Sequence, residues 1–308
     1  KDYLNNSKTE RKAVKTSIEI AKNAGFKEFD SEKSYNAGEK LYINNRGKAA
    51  AFIVVGEDDI DLGATVTAAH IDSPRLDLKP NPLYEDIELG MLKTHYYGGI
   101  RKYQWTAVPL ALHGVFAKKD GTVVEVTIGE DENDPIFVVN DLLPHLAGEQ
   151  SKRPLSQGIK GEELNVLIGS MPFKDDSESE LVKLNLLNIL YEKYGITEAD
   201  FLSAELECVP AYKAKDLGLD RSMIGSYGHD DRVCAYTSLM AELETKNPTK
   251  TTVTIFADKE EIGSDGVTGM QSAAFDTFME DLCDATGASL NRCFENSFCL
   301  SADVSNAF

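Results

Sequence analysis

Between residues 10 and 24, ERKAVKTSIEIAKNA, the apolar residues Val14, Ile18, Ile20 and Ala21 recur at near-helical spacing, and Gly25 follows as a stop. The pattern predicts an amphipathic helix. Two short apolar runs come next, KAAAFIVVG (48–56) and ATVTAAHID (64–72). They read as strands buried on both faces, which suits a parallel or mixed sheet under helices.

The texture changes after residue 75. ALHGVFAKKDGTVVEVTIG reads as a hairpin turning at Lys119-Asp120-Gly121. Around it, strand-like runs lie close together between Gly, Pro and Asp, and one helix is predicted at SELVKLNLLNILYEKYG (179–195). Helix-and-strand texture then returns. DDRVCAYTSLMAELE (230–244) is a predicted helix with Val233, Tyr236, Met240 and Leu243 on one face. KTTVTIFAD (250–258) is a strand, AAFDTFMEDLCDAT a helix and SFCLSAD (297–303) a strand. The fold class expected is α/β: a mixed-sheet catalytic domain in two parts, 1–75 and 222–308, interrupted by a β-rich lid or assembly insert over 76–221.

Length and charge narrow the options. The 308 residues suffice for about two domains. With 32 basic against 51 acidic residues, the net charge of −19 argues against nucleic acid and anionic membrane as partners. No stretch approaches the ~18 consecutive apolar residues of a membrane helix, and the polar N-terminus lacks the apolar stretch of a signal peptide. Five scattered cysteines form no Cys-x-x-Cys pair, so a reduced, cytoplasmic chain is expected. Cys293 and Cys299 could pair or bind metal, but small buried apolar roles are the simpler expectation.

Four strand ends or strand-to-helix loops finish in metal-type ligands. TAAHIDSP delivers His70 and Asp72; YGHDDRV delivers Asp230 and Asp231; FADKEEIGS delivers Asp258, Glu260 and Glu261; LSADVS delivers Asp303. In open α/β sheets, ligands bind beyond the carboxyl ends of the strands. Each piece alone has a blander reading: a buried hydrogen-bonded histidine, an Asp-Asp helix cap, a solvated Glu-Glu loop. Together they favour metal, since ionised groups are costly where water is scarce. A divalent cation cancels the repulsion of adjacent glutamates and lowers the pKa of a bound water to about 7. Glu260 can then take that proton. Asp230 can bridge two ions, and Asp72 can accept the second N–H of His70.

These segments resemble the aspartyl aminopeptidase and vacuolar aminopeptidase I family of zinc metallopeptidases, its bacterial members most closely. The resemblance rests on AAHIDSPRLDLKP, HDDRVCAY, DKEEIGSDG and LSADVSNAF, with HYYGGIRKYQW and DLLPHLA in the insert, and covers essentially the whole chain. It implies that His70 binds one zinc, that Asp230 bridges both, and that Glu261 binds one ion and Asp303 the other. It makes Glu260 the general base, with Asp72 behind His70, and makes the Asp230–Asp231 bond cis. His145 would reach from the insert into a neighbouring subunit's active site. The family assembles as dodecamers around an internal chamber, which implies peptide substrates and self-association through the insert. A second ligand histidine and further pocket residues are expected beyond Phe308, so the chain is expected to be a fragment. Asn306 stands where some relatives carry histidine.

Three alternatives remain open: a metal-dependent deacylase on N-acyl compounds, an inactive assembly module, and a glycosidase. Adjacent glutamates fit the last poorly, because its carboxyls must be at least about 5 Å apart across a sugar. Carboxylate-rich sites accept several divalent ions, so zinc, cobalt and manganese are not separable here. Nor is the N-terminal residue preference readable. His95 and His113 read as structural, while His229, next to Asp230, could reach the metals or point away.

Overall fold

The computed structural model describes residues 1–174 and 179–305; Asn306 lies outside them. The chain divides into two compact units. One joins Lys1–Ser73 to the chain from Lys213 onward, and the other is Pro74–Tyr212.

The first unit is built on a six-stranded sheet. Its order is Lys27–Glu28, Lys40–Asn45, Ala49–Val54, Thr252–Ala257, Thr65–His70 and Phe298–Ser301. Ala49–Val54 runs antiparallel to Lys40–Asn45 and to Thr252–Ala257. The last three strands run parallel to one another. Their register decides where the chemistry lies: Ala257 pairs with His70 and Ser301 with Ala68. The parallel strands therefore leave the sheet at nearly one level and on one side.

Helices cover both faces, as runs of continuously buried strand residues require. Ala49–Val54 is buried at every position. Phe52, Val54, Ala69 and Phe256 pack against Val14 and Ile18 of the helix Glu10–Asn23 and against Ala235 and Leu239 of His229–Glu244. On the other face, Ile53, Val66, Val253 and Ile255 meet Phe278, Met279 and Leu282 of Ala274–Asp284. Glu10–Asn23 begins where the Thr9 side chain accepts the Lys12 N–H at 3.3 Å and ends before Gly25, whose φ of +91° suits a residue without Cβ.

The buried face of His229–Glu244 matches the expected one only in part: Met240 and Leu243 pack against the core. Val233 and Tyr236 are exposed, while Arg232, Ala235, Leu239 and Glu242 are buried. Two charged residues hold interior positions with hydrogen bonds from other segments. Arg232 Nη2 donates to the Lys8 carbonyl at 3.0 Å. Glu242 accepts the Thr252 and Thr254 hydroxyls at 2.7 and 2.9 Å. An interior ion pair joins Lys48 to Glu10 at 2.9 Å. A short hairpin, Lys215–Leu217 with Met223–Gly225, also belongs to this unit.

The second unit is a seven-stranded sheet in which every strand pairing is antiparallel. The expected hairpin is present as Leu110–Ala117 and Val123–Ile128. The expected helix spans Leu181–Tyr194. Leu76, Leu110, Phe116, Leu164 and Cys208 anchor the core. His113 is buried, with Nε2 2.9 Å from Glu130 Oε1, and His95 stacks on Tyr96. All five cysteines are free; Cys293 is buried, but Cys299 is exposed, contrary to the buried role expected of it. Among the described residues no helix is long and apolar enough to cross a membrane.

Candidate metal centre

The first unit gathers its acidic and imidazole groups where the parallel strands end. His70 closes Thr65–His70, and Asp258, Glu260 and Glu261 follow Thr252–Ala257. Asp303 follows Phe298–Ser301, held to the sheet edge by the Ala302 N–H donating to Ala68 at 2.8 Å. Asp230 enters at the start of the helix that packs on the His70 strand. Gly228 makes that entry possible: its φ is +81°, and a Cβ there would collide with the Arg232 guanidinium. The Asp230–Asp231 peptide is cis, as the resemblance implied.

His70 is the hub. Its Nε2 lies 3.0 Å from Asp230 Oδ1, 3.7 Å from Glu260 Oε2 and 3.8 Å from Asp303 Oδ1. The imidazole is buried, while those three carboxylates are about half exposed. One donor atom each from His70, Asp230 and Asp303 falls within a 4.8 Å span. An imidazole nitrogen with carboxylate oxygens is a donor set suited to zinc, so residues and ion fit. Glu261 is outside this trio but within the same field. Burial, then the Asp230 carboxylate, push its pKa up to about 7 against the pull of His70. Burial alone would lower the His70 pKa; the carboxylates of Asp72, Glu260 and Asp230 outweigh it and hold it at about 9.

Asp72 does more than the sequence suggested. His70 Nδ1 is 3.0 Å from the Asp72 backbone carbonyl and 3.4 Å from its carboxylate. The carboxylate itself accepts two main-chain donors, the N–H of Glu260 at 3.2 Å and of Glu261 at 3.1 Å. The buried Asp72 thus sets both the imidazole face that remains free and the height of the Glu-Glu loop. That loop is backbone-strained: Lys259 and Ser264 have φ of 70° and 62° without being glycine.

Sequence reasoning missed Ser73, and it named Asp231 and Asp258 without assigning either a role. Ser73, fully buried, donates to the Asp230 carbonyl at 2.6 Å. Asp231 is no exposed cap; it is buried, and burial raises its pKa to about 6 although the neighbouring Cys234 thiol pulls the other way. Asp258 is buried as well and accepts the Thr268 hydroxyl. Asp231 and Asp258 stood among the candidates the sequence offered, each directly after an expected ligand or strand. Ser73 carried no signal beyond its place after Asp72. His229 turns away, its Nε2 meeting the Ile224 carbonyl at 3.0 Å. His145 belongs to the second unit and lies exposed in a turn.

Comparison with known proteins gives this geometry a context. Residues 3–308 match the family described as aminopeptidase I zinc metalloprotease (M18). A probable M18 family aminopeptidase 1 of Clostridium acetobutylicum is 52% identical over 100% of this chain and 68% of its own length. Its counterpart in Thermotoga maritima is 47% identical over 98% of this chain and 67% of its own length. The crystal structure of the Thermotoga M18 aminopeptidase superposes with a TM-score of 0.93 at 45% identity, covering 98% of this chain and 67% of that one. A structure described as the "S. cerevesiae mApe1 dodecamer" shares the fold, with a TM-score of 0.77 at 19% identity over 100% of this chain and 71% of that one. None of these descriptions supports the deacylase, inactive-module or glycosidase alternatives. The chain belongs to the aminopeptidase I zinc metalloprotease family, M18, and is a hydrolase of that class.

Proposed function

We propose that His70, Asp230, Glu261 and Asp303 hold two divalent ions, zinc first among the candidates, and that Glu260 is the general base of peptide hydrolysis. The observation that carries this reading is the convergence of His70, Asp230 and Asp303 donor atoms within 4.8 Å, with Glu260 Oε2 3.7 Å from the same imidazole nitrogen. His70, Asp230 and Asp303 would share one ion. Asp230 and Glu261 would contribute to the other. When bound, the ions supply Lewis acidity toward the scissile carbonyl and toward water.

The protein's own groups do the rest. Asp72 keeps Nδ1 of His70 engaged, leaving Nε2 as the ligand atom. Glu260, half exposed and steadied through its main chain, accepts a proton from water and passes it to the leaving amine. The exposed carboxylates attract the free α-amine of a peptide, which orients its first residue. Dependence on that amine is what distinguishes an aminopeptidase from a deacylase.

Self-association extends the proposal. Leu142, Leu143 and Leu146 flank His145 and are 54%, 66% and 71% exposed. Such a run of large apolar side chains is costly in water unless another surface covers it. A homo-oligomer, a dodecamer by analogy with the yeast assembly, would bury these leucines and bring His145 to a neighbouring centre. Zinc-dependent peptide hydrolysis in the cytoplasm fits the free thiols and the acidic composition.

The test combines metal analysis with a substrate panel. Protein equilibrated with zinc is expected to retain about two ions per chain by the bridging arrangement, and to cleave aminoacyl dyes but not their N-acetyl counterparts. Loss of zinc on simple dialysis, or equal cleavage of blocked and free substrates, would refute it.

A further inference from the structure

The Asp230 carbonyl sits at the mouth of the helix His229–Glu244 but is not aligned with its axis. Asp230 has φ −81° and ψ 109°, outside the helical range, so its C=O turns off the axis along which a helix would bond it four residues later. The donor it finds instead is Ser73, whose hydroxyl reaches it at 2.6 Å. Ser73 is 1% exposed, so water does not compete for this bond. Asp230 Oδ1 meanwhile stands 3.0 Å from His70 Nε2. The two residues before Ser73 connect it directly to the hub: Asp72 carries the main-chain N–H groups of Glu260 and Glu261, and Ile71 donates its N–H to Ala257 at 2.9 Å.

Resting on the metal reading above, we propose that Ser73 is a positioning residue for the reaction. It clips the Asp230 loop to the end of the His70 strand and so fixes the separation of the imidazole and carboxylate donors. Asp72 fastens the Glu-Glu loop and Ser73 fastens the Asp230 loop, so two consecutive side chains tie both loops to one strand end. Without the hydroxyl the Asp230 carbonyl loses this buried donor, and Asp230, whose side chain is about half exposed, gains freedom to swing away from His70.

The experiment compares wild-type protein with Ser73→Ala, Ser73→Thr and His70→Ala. Zn²⁺ affinity is measured by competition with a chromogenic chelator. The Co²⁺ visible spectrum reports ligand geometry, and melting of the metal-free proteins reports folding. Ser73→Ala is expected to bind Zn²⁺ about 10-fold more weakly or worse, in line with losses on removing partners of metal ligands. Its Co²⁺ bands should shift, while its metal-free melting stays close to wild type. Ser73→Thr keeps the hydroxyl and should restore both affinity and spectrum. Ser73→Ala binding within twofold of wild type with an unchanged spectrum would overturn the proposal, as would Ser73→Thr failing in step with Ser73→Ala. If His70→Ala also binds like wild type, the metal reading fails and the role of Ser73 with it. If His70→Ala loses binding while Ser73→Ala does not, only the Ser73 assignment falls.

Discussion

The Asp72 carboxylate holds Glu261 by its main chain, with Oδ2 accepting the Glu261 N–H at 3.1 Å. Its other oxygen takes the Glu260 N–H. A fully buried side chain with both oxygens committed tolerates little change. Asp72→Asn replaces one acceptor by an NH₂ facing an N–H. Turnover is expected to fall by about 10–100-fold, the usual range for losing a residue that supports metal ligands. Steady-state kinetics with zinc titration check this; wild-type turnover in the variant would contradict it.

Glu260→Gln keeps the size and the main-chain bond to Asp72 but cannot accept a proton. Zinc content should stay at the wild-type level, while kcat falls by about 10²–10⁴-fold, the range for a general base. A variant with full turnover would transfer the role to another group.

Glu242 offers a pH test remote from the chemistry. Burial raises its pKa to about 7, although the Thr252 and Thr254 hydroxyls pull it down. A carboxyl with a raised folded pKa binds more protons in the folded than in the unfolded state between its two pKa values. Its contribution therefore lowers stability as pH rises from about 4.3 to about 7, and the full cost persists above that. At about 1.4 kcal/mol per unit the cost is a few kcal/mol. Glu242→Gln, which can still bond both threonines, should gain stability over wild type at pH 8 relative to pH 5. Urea unfolding of both proteins at the two pH values measures it, and parallel pH curves would rule it out.

Leu143→Glu with Leu146→Glu places charge on the exposed apolar run of the second unit. If that run is covered by another copy, light scattering should show a smaller assembly with an unchanged circular dichroism spectrum. An unchanged mass would locate the contact elsewhere.

Much of this molecule could be read from residue order, and the reasons are physical. Strands such as Ala49–Val54 are buried on both faces and announce themselves by unbroken apolar runs. His70 and Asp303 stood out because polar groups ended strand-like runs, and Asp230 because it opened a helix; among the described residues these three come within ligand distance of one another. Helix 229–244 was misread on part of its buried face because its interior includes Arg232 and Glu242, whose partners, Lys8, Thr252 and Thr254, are distant in sequence. No periodicity of hydrophobic residues can signal a charge that is satisfied from another segment. Ser73 escaped for the same reason: a serine reveals its role only when the acceptor, 157 positions away, is in place.

The strand Phe298–Ser301 pairs with Thr65–Ala68 across more than two hundred residues. During synthesis His70 must wait while the whole second unit, the Asp230 helix and the Glu-Glu loop emerge, before the segment bearing Asp303 can take its place. An ion arriving early meets an imidazole and solvated carboxylates with no shared geometry. If these residues hold metal as proposed, high-affinity capture comes late on the folding path and stabilises the completed sheet rather than its beginning.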